Sequence, residues 1–223
     1  MENTFVANQI NDKQPTIKQA DKSLSSSRSS IDEFRPKQRK QRYAILVIDM
    51  QNDFIKGKLK CERATRIIPK IRLLLDTARQ KKIPIFYCID EHLPIDTYEM
   101  NLWGPHAMKG SEGAKVIDEL KPLDTDYIIA KRTYSAFDGT GLDRALKGVY
   151  DGNAADTLIL TGIHTDICVR HTSYDAFVRG FNIILPEDGV EAFTEAEHNS
   201  GLDYITRIYG AKPQTITNII KSI

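Results

Sequence analysis

The chain has 223 residues, 41% of them apolar, with 31 Lys and Arg against 30 Asp and Glu for a formal charge of +1. That length fits one domain with at most an appendage, and the balanced charge argues against a basic nucleic-acid groove or a polybasic membrane surface. No apolar run approaches the roughly 18 to 20 residues of a membrane helix, and the opening MENTFVANQINDKQ has no apolar signal segment, so a cytoplasmic protein is expected.

Residues 1–42 are polar, with the runs SLSSSRSS and RPKQRKQR. They bury too little apolar surface to offset the entropy of ordering. The segment reads as a flexible extension, or as an arm that packs on a partner subunit through Phe5, Val6, Ile31 and Phe34. Residues 43–223 read as the folded domain. YAILVIDM is a continuous apolar run ending in Asp49, the pattern of a strand buried on both faces. From Thr65 to Lys82, apolar residues recur at helical spacing (Ile67, Ile68, Ile71, Leu74, Leu75, Ala78). PIFYCID is a second strand, ending in Asp90.

A long connection follows, containing HLPIDTYEMNLWGPHAMKG, and such connections inside a compact domain are usually functional. Beyond it, SEGAKVIDEL reads as a helix and DYIIAK as a strand ending in Lys131. GTGLDRALKGVY, TDICVRHTSYDAFVRG and TEAEHNSGLDYITRIYG read as helices, alternating with the strands DTLILTG, NIILPED and the weaker PQTITNI. Strands alternating with helices predict an α/β fold, a parallel sheet of about six strands covered on both faces.

In open parallel sheets, ligands bind beyond the carboxyl ends of the strands. Asp49, Asp90, Lys131 and the loop leading to Cys168 stand there. Cys168 falls in the first turn of a helix, with Thr165 as the expected N-cap. Helix-terminal N–H groups there favour a thiolate and can hold an oxyanion. A buried Asp49 can take the thiol proton, and Lys131 can stabilise the charges of the pair. Each residue alone also has a plain reading: Cys168 as a small core residue, Asp49 as a turn residue, Lys131 as a solvated strand end. Asp90 and His92 lie two apart on an extended segment and His106 follows in the same loop. These three match a catalytic zinc, iron or manganese site with open positions, or else a turn cap and two surface histidines.

Other residues carry less. No CxxC pair exists; Cys88 reads as core and Cys61 gives no signal. His171 shares a helix with Cys168 and is poorly placed to act on it, and His198 is expected to be exposed. The first strand lacks a dinucleotide-type glycine fingerprint or a P-loop GK[ST].

Four segments in combination, VIDMQNDF, the D-x-H-x-P and W-x-x-H elements, KRTYSAFDGTGL and TGIHTDICVRHTSYDA, resemble the isochorismatase-like cysteine hydrolases, and most of all nicotinamidases and related amidases. The resemblance covers residues 43–220. It implies a three-layer α/β/α fold with a six-stranded parallel sheet, and a triad of Asp49, Lys131 and Cys168. It also implies an oxyanion hole from the backbone of His164 and Cys168 after a cis peptide at His164, and a divalent metal, usually zinc, on Asp90, His92 and His106. Phe54, Trp103, Tyr134 and Phe137 would surround a small amide substrate. His164 replaces a small residue common in the family, which fits the alternative of an N-carbamoylsarcosine-type or ureido amidase, with Arg132 gripping a carboxylate. A non-catalytic small-molecule-binding member is the other alternative. Homo-oligomers are common in the family.

Overall fold

A computed structural model describes residues 40–223. The expectations for the polar extension therefore fall, but for its last three residues, outside the described residues. Arg42 is already tied in, its N–H donating to the Asp156 carboxylate and its carbonyl accepting from the Thr157 N–H at 3.2 Å.

Six strands form the main path of the sheet, all parallel: β1 (Tyr43–Ile48), β2 (Ile85–Asp90), β3 (Tyr127–Lys131), β4 (Thr157–Ile163), β5 (Asn182–Pro186) and β7 (Lys212–Gln214). The order is β3-β2-β1-β4-β5-β7, and a two-residue strand, β6 (Val190–Glu191), pairs with the end of β4. The chain runs outward from β1 to β3, then returns to the other side of β1 with β4. The β1–β4 boundary is thus the point where strand order reverses, and a crevice opens there beyond the strand ends.

Ala44–Ile48 and every residue of β4 are buried because both faces of the sheet are covered. On one face Ile45, Val47, Ile85 and Tyr87 pack under α2 (Ile68–Gln80) and α7 (Ile216–Ser222). On the other, Leu46, Ile48, Phe86 and Leu158 pack under α4 (Leu142–Gly148), α5 (Cys168–Val178) and α6 (Glu195–Tyr209). α2 turns Ile71, Leu74, Leu75 and Ala78 inward, as their spacing requires. α6 opens with a capping box between Thr194 and Glu197 and closes at Gly210 in the left-handed region.

Two expectations are corrected, and one further element appears. SEGAKVIDEL is no helix beyond a single 3-10 turn at Asp118–Leu120. Its backbone is spent on a neighbour: the Gly113 and Lys115 carbonyls accept from Asp53 and Asn52 in the short helix α1 (Asn52–Ile55), and the Ile117 N–H donates to Met50. PQTITNI is a strand only as far as Gln214. Thr215 then caps α7, with its hydroxyl accepting from the Asn218 N–H, and Ile216 and Ile219 are buried at helical spacing. Within the long connection, Thr97–Trp103 forms a helix, α3, that no periodicity announced.

Candidate active site

The ends of β1, β2 and β3 bring Asp49, Asp90 and Lys131 together, all three buried. Asp90 and Lys131 are register partners in the ladder. The Lys131 ammonium bonds Asp90 Oδ1, stands 2.9 Å from Asp49 Oδ2, reaches Cys168 Sγ at 3.7 Å, and donates to the Thr133 carbonyl at 3.2 Å. Asp49 adopts φ 53°, rare for a residue with a Cβ. No donor is aligned on either Asp49 carboxylate oxygen in a regular hydrogen bond.

Charge in this cluster follows from burial and neighbours. Burial, with Asp90 adding repulsion, pushes Asp49 up to about 7 against the pull of Lys131. Burial alone would lower the Lys131 ammonium, but Asp49 and Asp90 outweigh it and hold it well above its ordinary value. Burial raises the Cys168 thiol well above its usual range, with Lys131 opposing and Asp49 adding. At rest the sulfur therefore keeps its proton, beside a carboxylate poised near neutrality.

Cys168 opens α5 after a turn that starts at the end of β4. The Ile163–His164 peptide is cis. The His164 carbonyl accepts from Ile167 and Val169, while among the described residues the N–H groups of His164 and Cys168 donate to no other protein group. Two glycines let this turn sit where it does. Gly162, at φ 104°, passes so close to the Ile48 carbonyl that a Cβ would lie 2.0 Å from that oxygen; Gly201 of α6 lies against Thr165 and Asp166, where a Cβ would fall 2.9 Å from backbone. Thr165 is not the N-cap, since no side chain caps α5. Its hydroxyl instead lies 3.0 Å from His198 Nδ1, and His198, expected at the surface, has only 12% of its side chain exposed.

Next to Asp90, a second cluster gathers His92, Glu99 and His106, with one ligand atom from each of the four within 4.8 Å of the others. His92 Nε2 is 3.6 Å from Asp90 and 3.7 Å from Glu99. Neither His92 nitrogen has a hydrogen bond, although the ring is buried. His106 spends Nδ1 on the Gly104 carbonyl at 2.8 Å, which leaves Nε2 to face the cluster. Two imidazoles and two carboxylates with orphaned nitrogens are a donor set that suits zinc or another first-row divalent ion. Burial and then Asp90 push Glu99 up to about 7, a cost that a cation would relieve. Gln51 fixes Asp90 from behind, accepting from the Asp90 N–H at 2.8 Å and donating to its carbonyl at 2.7 Å.

A narrow cavity opens over both clusters, lined by Phe54, Leu59, Asp90, Glu99, Trp103, His106, Tyr134, His164, Ile167, Cys168 and Phe193. Trp103 donates to the Tyr134 hydroxyl at 3.0 Å. Of the four aromatics expected around a substrate, Phe54, Trp103 and Tyr134 are present. Phe137 is not: it is buried against Phe181, with the Arg179 guanidinium 4.8 Å over its ring. Arg132 also points elsewhere, its guanidinium engaging the Asp96 carboxylate, which it holds at about 2. His171 is exposed, while Cys61 and Cys88 are buried. Glu99, Phe193 and Gln51 were missed in the sequence. Three acids, Glu91, Asp96 and Glu99, share the loop, and only the unforeseen helix α3 decides which one turns inward.

Residues 43–217 match the isochorismatase domain family. N-carbamoylsarcosine amidase from Thermoplasma acidophilum is 40% identical with a TM-score of 0.72, over 79% of this chain and 97% of that one. Nicotinamidase/pyrazinamidase PncA from Bacillus subtilis is 30% identical with a TM-score of 0.72, over 78% and 99%. Pyrazinamidase of Pyrococcus horikoshii in complex with zinc is 28% identical with a TM-score of 0.70, over 78% and 99%. The parallel sheet, the crevice at its switch point and the match over residues 43–217 lead to one conclusion: the chain belongs to the isochorismatase family of hydrolases.

Proposed function

We propose that the protein is a cysteine-dependent amidohydrolase that cleaves a small, flat amide to its acid and ammonia, in the manner of a nicotinamidase. One observation carries this reading: a buried ammonium 2.9 Å from Asp49 and 3.7 Å from Cys168, beneath a cavity walled by aromatic rings.

Asp49 takes the Sγ proton as sulfur attacks the carbonyl carbon, which forms the C–S bond and moves the carbonyl electrons onto oxygen. The N–H groups of His164 and Cys168 receive that oxyanion; removing one such donor typically costs about 3 to 4 kcal/mol of barrier. Asp49 returns the proton to the nitrogen, ammonia leaves, and a thioester remains. A water then gives a proton to Asp49 and attacks the thioester, and the thiol is restored as the acid departs. Lys131 keeps Asp49 and Cys168 at contact and offsets the negative charge that passes between them. Asp90, His92, Glu99 and His106 are the residues that would hold a divalent ion, zinc being the ion this donor set fits, and such an ion supplies a Lewis-acidic anchor for a ring nitrogen.

The N-carbamoyl alternative draws support from the 40% identity to an N-carbamoylsarcosine amidase. Against it, among the described residues no Lys or Arg lines this cavity; Lys131, beside Cys168, is already engaged by two carboxylates, and Arg132 is held by Asp96. Among the described residues a substrate carboxylate thus finds no free cation in the lining. Ammonia release from nicotinamide and from N-carbamoylsarcosine, measured on the wild-type chain and on Cys168→Ala, tests the reading. Release from nicotinamide that Cys168→Ala abolishes supports it; release that survives the substitution removes it.

A further inference from the structure

Of the five histidines in the chain, two, His92 and His164, are buried with neither ring nitrogen hydrogen-bonded. His106 bonds Gly104, His171 bonds Ile167, His198 bonds Thr165, and His92 stands among three carboxylates. His164 has none of these. Its side chain is buried, yet both ring nitrogens lack a hydrogen-bond partner. The ring is held by stacking on Phe193, with centroids 3.9 Å apart, and by the edge of Phe54 at 6.4 Å, so its orientation is set by packing alone. It also lines the cavity that exposes Cys168.

A buried donor and acceptor without partners are costly, and a site built this way favours a ligand that fills them over an isostere that does not. Burial holds the imidazole at about 4, so at neutral pH it offers one N–H and one lone pair. In the mechanism proposed above its own backbone N–H, which has no protein acceptor, receives the carbonyl oxygen, so its side chain would reach only atoms a few bonds from that carbonyl. Resting on the amidohydrolase reading above, we propose that His164 is a specificity-determining residue that hydrogen-bonds a heteroatom flanking the scissile carbonyl. The preferred substrates are then amides carrying a nitrogen next to the carbon that bears the carboxamide, over the analogues with a C–H there.

Pyrazinamide and nicotinamide are a matched pair for this purpose. Both carry the ring nitrogen meta to the carboxamide, and only pyrazinamide has a second nitrogen ortho to it. Binding of each is measured calorimetrically to Cys168→Ala, which removes differences in reactivity, and to Cys168→Ala with His164→Phe, which keeps the stack on Phe193 and deletes both nitrogens. Thermal melting of each variant establishes that it is folded. The expected result is pyrazinamide bound at least fivefold tighter than nicotinamide, with the two within about twofold after His164→Phe. Equal binding in the parent, no binding of either compound, or a preference that survives His164→Phe overturns the inference. Ammonia release by the wild-type chain is scored separately. A His164-dependent preference without turnover leaves the recognition intact and removes the catalytic reading, whereas turnover without the preference does the reverse.

Discussion

Lys131 and Asp90 face each other across the β3–β2 ladder as register partners, and their ammonium–carboxylate bond joins the two halves of the site. On one side of that bond Lys131 reaches Asp49 and Cys168; on the other, Asp90 belongs to the His92, Glu99 and His106 cluster. Lys131→Met is expected to lower activity at least a hundredfold. It also strands two buried carboxylates, a loss of about 3 to 5 kcal/mol for breaking a buried pair. Urea denaturation and steady-state rates check the two effects together.

Asp49→Asn should be inactive and no less stable than the wild type. Burial raises the Asp49 pKa from 3.8 to about 7, so the folded chain prefers the neutral acid. The group's stabilising contribution is complete below its unfolded value and is lost as pH rises through about 7. Asparagine does not titrate, so the variant's relative stability should grow between about pH 4 and pH 7 and level off above. Melting temperatures of chelator-treated proteins at pH 5 and pH 8 supply the comparison, and a difference that shrinks with pH contradicts it.

The same carboxylate sets the acid limb of the rate. In the proposed mechanism attack needs Asp49 ionised, so kcat/KM should fall about tenfold per pH unit below about 7. Bound cation beside Asp90 lowers that midpoint, and a pH–rate series with and without chelator reads both limbs.

His92→Ala and Glu99→Gln should each reduce bound metal, read by inductively coupled plasma mass spectrometry on dialysed protein. Zinc should raise the melting temperature of the wild type, because a ligand that binds only the folded state stabilises it, and should raise it less in either variant. Full metal stoichiometry in both variants removes Glu99 and His92 from the donor set.

Gly201→Ala tests the support behind the nucleophile turn. The new Cβ meets Thr165 and Asp166 backbone at 2.9 Å, so α6 or the turn must shift. Overpacking of this kind costs about 1 to 3 kcal/mol, and a displaced turn should lower kcat while KM changes little.

Much of the fold was legible because buried parallel strands have a loud signature. The continuous apolar runs of β1, β2 and β4 end in or beside the residues of the site, and the amphipathic spacing of α2 marks its inward face. What stayed hidden depends on contacts distant in sequence. The 111–120 segment has helical composition, but its Gly113 and Lys115 carbonyls are claimed by α1. Ile216 and Ile219 suit a strand or a helix equally until Thr215 caps the turn. Phe137 sits in a segment shared with the family pattern, yet only packing shows its ring turned toward Phe181. Glu99 is indistinguishable from Glu91 and Asp96 by composition, and the burial of His198 follows from Thr165 and Glu191 approaching it from other elements.

Helix α3 has no buried residue, and it turns Tyr98 and Leu102 to solvent while Glu99 and Trp103 face the cavity. One member of the four-residue donor cluster and one wall of the cavity thus sit on the same seven-residue helix. A substitution that shifts this helix is therefore expected to change metal content and substrate affinity together.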